Sequence, residues 1–320
     1  LLYDLLKIPA KLALLIYCRS VQINDRSWLQ HEGPLLIACN HPNSFLDAII
    51  LSTLFHKPVY SLARGDAFGK PFYAKLLRSL NMFPVYRVSE GVENLDHNYK
   101  TFDDCKELFK RNGIVLIFSE GRCINEWHLR PLKKGTARLA ISSWQDGIPL
   151  TVLPAGINYS SFHTFGKNMQ IRFGQLITRE DVILDDTYGR SVVMFNNNLG
   201  NQLKELVIEK DASDKEGIRN TFEVKVPLLK KILLAVPAAA GWLVHAPLFF
   251  PIKKLTWPRT KHNDHYDSVI VGLLFLLYPV YLLLITGVAV WLTGSHWCWL
   301  LLIVLPFCAR SYVQLKHQFD

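Results

Sequence analysis

PLLIACNHPNSFLDAI, residues 34–49, carries the pattern on which the fold turns. Leu35 to Cys39 is an apolar run of strand length, Asn40-His41-Pro42-Asn43 breaks it, and a helical stretch opens near Ser44. A short apolar run followed by a break and a helical stretch reads as one strand–turn–helix unit. Outward from it, the same pattern repeats. Strands are expected at 34–39, 59–63, 82–86, 113–118, 151–157 and 169–173, with helices near 44–55, 71–80, 95–111 and 132–146. The polar segment SVVMFNNNLGNQLKELVIEKD, beginning at Ser191, reads as one more helix. Strand–helix alternation predicts an α/β domain over residues 25–225, a central sheet flanked by helices, with chemistry gathered at the strand ends.

The flanks differ in composition. Residues 1–24, opening LLYDLLKIPAKLALLIYCRS, alternate leucine clusters with Lys7, Lys11 and Arg19. They read as a membrane-associating amphipathic helix, and an ordinary core-packing helix fits them equally. Residues 226–320 read as a membrane-embedded helical region. Ile232 to Phe250 is uncharged but interrupted by Pro237, His245 and Pro247, and Val269 to Leu292 is uncharged throughout. The latter exceeds the ~20 residues that a spanning helix needs. Thr293-Gly294-Ser295-His296 makes a turn before the shorter apolar arm from Trp297 to Ala309. Lys253, Lys254, Arg259 and Lys261 precede this hairpin and Arg310 and Lys316 follow it, which predicts both ends on the cytoplasmic side.

Composition limits the partners. The 320 residues carry a formal charge of +9, half are hydrophobic, and the mean hydropathy is +0.14. The basic residues are dispersed and form no recognition motif, so anionic lipid headgroups or phosphorylated substrates are expected rather than nucleic acid. Six cysteines without CxxC pairs or metal-ligand spacing read as reduced thiols. His262, His265 and Asp267 in KHNDHYD have only loose metal-ligand spacing and read as interfacial polar residues, so no metal is expected.

Four short blocks follow strand ends. In the first, His41 with Asp47 six positions on has the composition of a general base and the carboxylate that orients it; a solvated loop histidine is the plainer reading. Cys39, a thiol nucleophile in principle, reads as a packed small hydrophobe. In the second, NMFPVYR (81–87), Arg87 can grip a phosphate with two parallel bonds or stand in solvent; Arg64 has similar standing. The third, IFSEGR (117–122), sets Glu120, Gly121 and Arg122 in a charged turn, with Lys133 and Lys134 opening the next helix: together a candidate anion pocket. A nucleophile elbow around Ser119 needs glycine at residue 117, which is isoleucine. The fourth, VLPAGI (152–157), breaks a buried strand at Pro154.

In this order the blocks resemble the phospholipid/glycerol acyltransferase family, the enzymes that acylate glycerol-3-phosphate and lysophosphatidate, over about residues 30–175. The resemblance implies His41 as base and Asp47 as its partner. It implies phosphate contacts from Arg87, Glu120, Gly121 and Arg122, with Lys133 or Lys134 beside them. Phe83, Pro84 and Pro154 would shape the acyl or acceptor pocket. Two departures stand out: five residues rather than the usual four separate His41 from Asp47, and the usual F-P-E-G-T-R is F-S-E-G-R here. The longer first block resembles that of some glycerol-3-phosphate acyltransferases. The activity implied is transfer from acyl-CoA or acyl-carrier protein as co-substrate, with no other cofactor, at the cytoplasmic membrane. A membrane lipid-binding scaffold and a lipid hydrolase are the alternatives.

Overall fold

The computed structural model describes residues 2–86, 97–182 and 187–319. Seven strands form one sheet: β1 (Cys18–Ile23), β2 (Leu35–Cys39), β3 (Val59–Arg64), β4 (Met82–Val85), β5 (Ile114–Phe118), β6 (Thr151–Tyr159) and β7 (Lys167–Phe173). Their order is β1-β7-β6-β2-β5-β3-β4, and every adjacent pair is parallel except β6 with β7. The central position of β2 explains its composition, since all five of its residues are fully buried. Each large aliphatic side chain buried this way contributes ~1.5–3 kcal/mol.

Ten α-helices lie in the described chain: α1 (Leu2–Tyr17), α2 (Ser44–Leu54), α3 (Pro71–Ser79), α4 (His97–Lys110), α5 (Gly135–Gln145), α6 (Tyr188–Leu206), α7 (Lys215–Phe222), α8 (Leu228–Thr260), α9 (Tyr266–Thr293) and α10 (Leu301–Leu315), the last continuing a 3-10 turn at His296–Leu300. Leu35, Ile37 and Cys39 point to one core, shared with Leu46, Ile50 and Leu51 of α2 and with Ile252, Tyr266 and Ile270 of α8 and α9. Leu36 and Ala38 point to the other, filled by α4, α5 and α6. The strand period of two thus divides β2 between the layers.

The six expected strands and five expected helices lie where the sequence placed them, but the sheet also takes in β1. Cys18–Ile23 falls inside the segment read as one amphipathic helix; the helix itself is Leu2–Tyr17. CRSVQI lacks clean alternation, and its strand form comes from pairing with β7 at the sheet edge. That edge is covered by α10: Arg19 donates to the carbonyls of Gln314 and Lys316, and Arg310 donates back to that of Arg19. α1 has one buried and one exposed apolar face. Tyr3, Leu14 and Tyr17 are buried, while Leu5, Ile8, Leu12 and Leu15 form an exposed apolar stripe.

Three C-terminal helices are long and apolar enough to cross a membrane: Leu228–Thr260, Tyr266–Thr293 and His296–Leu315. The sequence marks the second as long enough to span and the third only as a shorter arm; the first is interrupted by Pro237, His245 and Pro247, yet α8 runs through Pro237, Pro247, Pro251 and Pro258. Along it the His245 ring donates to Gly241 O at 2.7 Å, and the Tyr281 hydroxyl of α9 donates to Val244 O at 2.6 Å. Gly241 lets α8 meet α10 closely, since a Cβ there would lie 2.1 Å from the Cys308 carbonyl oxygen. The hairpin's two ends rest on the sheet domain: Asp267 of α9 meets Lys167 and Tyr17, and Arg310 of α10 holds the carbonyls of Leu15 and Cys18.

Candidate active site

The site is built on the C-terminal end of β2. Beyond Cys39 the Asn40 side chain continues the ladder, donating to Ile157 O at 3.0 Å and accepting from Ile157 N at 2.8 Å. The main chain is released to turn through His41-Pro42-Asn43, and α2 begins at Ser44. Asp47, in the first turn of α2, points back beneath His41. The His41 Nδ1 lies 2.9 Å from Asp47 Oδ2. That oxygen also accepts from Asn43 N at 2.8 Å, and Oδ1 accepts from the Tyr159 hydroxyl at 2.6 Å. The spacing of five residues therefore closes a histidine–carboxylate contact.

Asp47 is fully buried, whereas the His41 side chain keeps 15% of its surface open. A carboxylate facing Nδ1 takes a hydrogen bond from an Nδ1–H, which leaves the Nε2 lone pair free to act as a base. The imidazole stacks on Phe118, with centroids 3.8 Å apart and planes 9° from parallel. Burial, and then the charge of Asp47, pushes the Tyr159 hydroxyl well above its ordinary range, so it stays a donor.

Glu120 departs from expectation. It is buried, and its two oxygens accept from His41 N at 2.7 Å and Arg130 N at 2.9 Å. A carboxylate turned onto two backbone amides fastens the loop that carries His41; it is not placed to meet a phosphate. Burial raises its pKa, opposed by the two amide hydrogen bonds and the nearby His41. A carboxyl whose folded pKa is raised adds stability below its unfolded value and loses it as pH rises through the folded value. Thermal unfolding followed from pH 4 upward should therefore show stability lost across the range just above the ordinary carboxylate pKa. Glu120→Gln should flatten that part of the profile; an unchanged profile would remove Glu120 as its source.

The rest of the third block faces outward. Gly121 has φ +66°, and a Cβ there would lie 2.9 Å from Lys133 Cγ. Arg122, Lys133 and Lys134 are exposed, and Lys133 N donates to Ser119 O at 2.7 Å, which brings the start of α5 beside the turn. Ser119 is buried and its hydroxyl accepts from Thr136, while burial pushes the Cys39 thiol far up; neither has the setting of a nucleophile.

The second block lies on the far edge strand. Phe83 stacks on Tyr60 and the Pro84 carbonyl accepts from Thr101; three strand spacings, ~14 Å, separate β4 from β2. Arg87 lies outside the described residues. Arg64 is engaged by Asp66. Pro154 is buried in β6 opposite Ala38, where the β7 ladder has already ended and its missing N–H is tolerated. It lines the sheet interior rather than an open pocket.

Several partners were not foreseen. Tyr159 and Asn43 both hold Asp47, and the α8–α9 loop reaches the site: Asp264 accepts from Asn125 N at 2.8 Å, and His265 Nδ1 is 2.7 Å from Ser44 Oγ. An acidic residue opening a long apolar run, as Asp267 does, was the available signal.

Residues 20–158 match the model of a family described as Acyltransferase. A 1-acyl-sn-glycerol-3-phosphate acyltransferase of Chlamydomonas reinhardtii is 26% identical over 147 residues, 45% of this chain and 40% of that protein's length. The match thus spans about two-fifths of that relative. The crystal structure of the 1-acyl-sn-glycerophosphate (LPA) acyltransferase PlsC from Thermotoga maritima is similar at a TM-score of 0.46 and 14% identity, over 69% of this chain and 81% of that one.

Proposed function

We propose that this chain, whose residues 20–158 match the Acyltransferase family model, moves an acyl group from a thioester, acyl-CoA or acyl-carrier protein, to a hydroxyl of 1-acylglycerol-3-phosphate or glycerol-3-phosphate. The observation that carries this reading is the His41–Asp47 contact of 2.9 Å at the end of the central strand, with the ring open on one side. Nε2 of His41 takes the proton of the acceptor hydroxyl as its oxygen attacks the thioester carbonyl carbon. The tetrahedral intermediate collapses, the C–S bond breaks, and the thiolate leaves with the proton that His41 returns. Asp47 balances the imidazolium formed on the way. The acceptor, once deprotonated, attacks directly, so no acyl-enzyme is required.

Arg122, with Lys133 and Lys134, is assigned to the acceptor phosphate on the strength of exposed cations beside a helix N-terminus and a glycine turn. Arg122→Ala is expected to raise the acceptor KM about tenfold, equivalent to ~1.4 kcal/mol, with little change for a phosphate-free lyso-lipid. An equal effect on both acceptors would remove the phosphate assignment.

The apolar helices hold the domain at a membrane, with α9 and α10 as a hairpin whose ends lie on the domain side and the basic residues around 253–261 and at 310–316 marking that side as cytoplasmic. The reading is tested with the full chain in lipid nanodiscs. Each labelled donor is paired with glycerol-3-phosphate, 1-acylglycerol-3-phosphate and a phosphate-free lyso-lipid, and products are read by mass spectrometry. A new phosphorylated ester is expected; free fatty acid alone would favour a hydrolase, and no product with any pair a lipid-binding scaffold.

A further inference from the structure

We infer that Asp267, in the first turn of α9, is a positioning residue for the His41–Asp47 pair and acts through Asn43. The inference rests on the acyl-transfer reading above. Asn43 is fully buried and joins two carboxylates. Its backbone N–H donates to Asp47 Oδ2, the oxygen that faces His41, at 2.8 Å. Its side-chain Nδ2 donates to Asp267 Oδ2 at 2.6 Å. Among the described residues the buried Asn43 Oδ1 has no hydrogen-bond partner, so the amide is held from one side, by Asp267. Asp267 is itself immobilised: it is fully buried, paired with the equally buried Lys167 at the start of β7, and bonded by the Tyr17 hydroxyl at the end of α1.

The next residue along points the same way. Ser44 has φ +50°, a backbone conformation costly for any residue but glycine. It is held there by the contact of its hydroxyl with His265 and of its N–H with the Cys123 sulfur at 2.8 Å. Two of the five residues between His41 and Asp47 are thus held by the start of α9 and the loop before it. The five-residue interval closes as a working contact because the apolar helices grip its middle. A shift of α9 against the sheet becomes a shift of Asp47 against His41, and a misplacement near 1 Å can cost about 10² in rate.

The competing account is that Asp267 only neutralises Lys167. Breaking one partner of a buried ion pair strands the other, whereas replacing both with apolar residues of similar volume is often harmless to stability. The test therefore uses the full chain in nanodiscs with two variants, Asn43→Ala and the double Lys167→Met/Asp267→Leu, with His41→Ala in parallel. Thermal midpoint, kcat and acceptor KM are measured for each. The positioning role requires kcat to fall about 10- to 10²-fold in both variants, with acceptor KM within twofold and the midpoint kept. Parent-rate turnover in either folded variant overturns the inference, as does a loss confined to KM. If the double variant does not fold, Asn43→Ala decides alone. Undiminished turnover in His41→Ala would instead bring down the reading beneath it; a His41→Ala slowed by about 10² or more beside a fully active Asn43→Ala removes only the positioning role.

Discussion

His41→Ala is expected to lower kcat by about 10²–10⁴, the range usual for a positioned general base, while the protein stays folded. The fold should survive because Asp47 keeps two of its three donors, Asn43 N and the Tyr159 hydroxyl, when the imidazole is gone. Glu120 bonds the His41 backbone rather than its ring, so the loop also keeps its fastening. What is lost is the base and the face stacked on Phe118. Acceptor KM should change little, since the contacts proposed for the acceptor phosphate lie in the turn at 121–122 and beside the start of α5, away from the ring. Steady-state rates with saturating donor, beside a thermal melt, separate a chemical loss from a folding loss. A folded variant with undiminished kcat would show that the acceptor is activated elsewhere.

Asp47→Asn is expected to cost as much in rate and more in stability. Three donors converge on this carboxylate, and an amide offers only one oxygen to them. If the NH₂ takes the Oδ2 position, it faces the Asn43 N–H and forces His41 into the tautomer that carries its proton on Nε2, where the base is needed. If it takes the Oδ1 position, the Tyr159 hydroxyl must turn and accept, and the imidazolium still loses its counter-charge. Leaving one buried donor unmatched costs about 1–3 kcal/mol. The expected result is a kcat fall of about 10²–10⁴ with a lowered melting midpoint, against an unshifted midpoint for His41→Ala. Tyr159→Phe in the same assay isolates the Oδ1 contribution and should lower stability with a smaller loss of rate.

The apolar runs carried most of the architecture. The strands from β2 to β7 follow from short apolar or β-branched runs between turn residues, and α2, α4 and α5 from the stretches between them. β1 escaped because its pattern is not its own: Cys18–Ile23 is extended by pairing with a strand some 150 residues away. α8 was not read as one helix because Pro237, His245 and Pro247 interrupt its apolar run, yet the helix continues through four prolines. In the site, His41 and Asp47 lie within one strand–turn–helix unit, so the sequence shows that they can meet, though not what holds the turn between them. Tyr159 and Asp267 meet that unit from 112 and 224 residues beyond their partners, and periodicity tells which face a residue takes, not which distant side chain it meets. Glu120 was misread for a related reason. A charged turn at a strand end looks outward, and only the positions of His41 N and Arg130 N turn its carboxylate inward.

The central claim is that His41 activates the acceptor directly. The most direct test mixes a stoichiometric amount of labelled acyl donor with the nanodisc-bound protein, with and without lysophosphatidate, quenches within one turnover, and weighs both protein and lipid. The expected result is unmodified protein in both arms, a new labelled ester only when acceptor is present, and no ester with His41→Ala. A protein carrying the acyl mass, or labelled fatty acid released at equal rate without acceptor, would contradict the account.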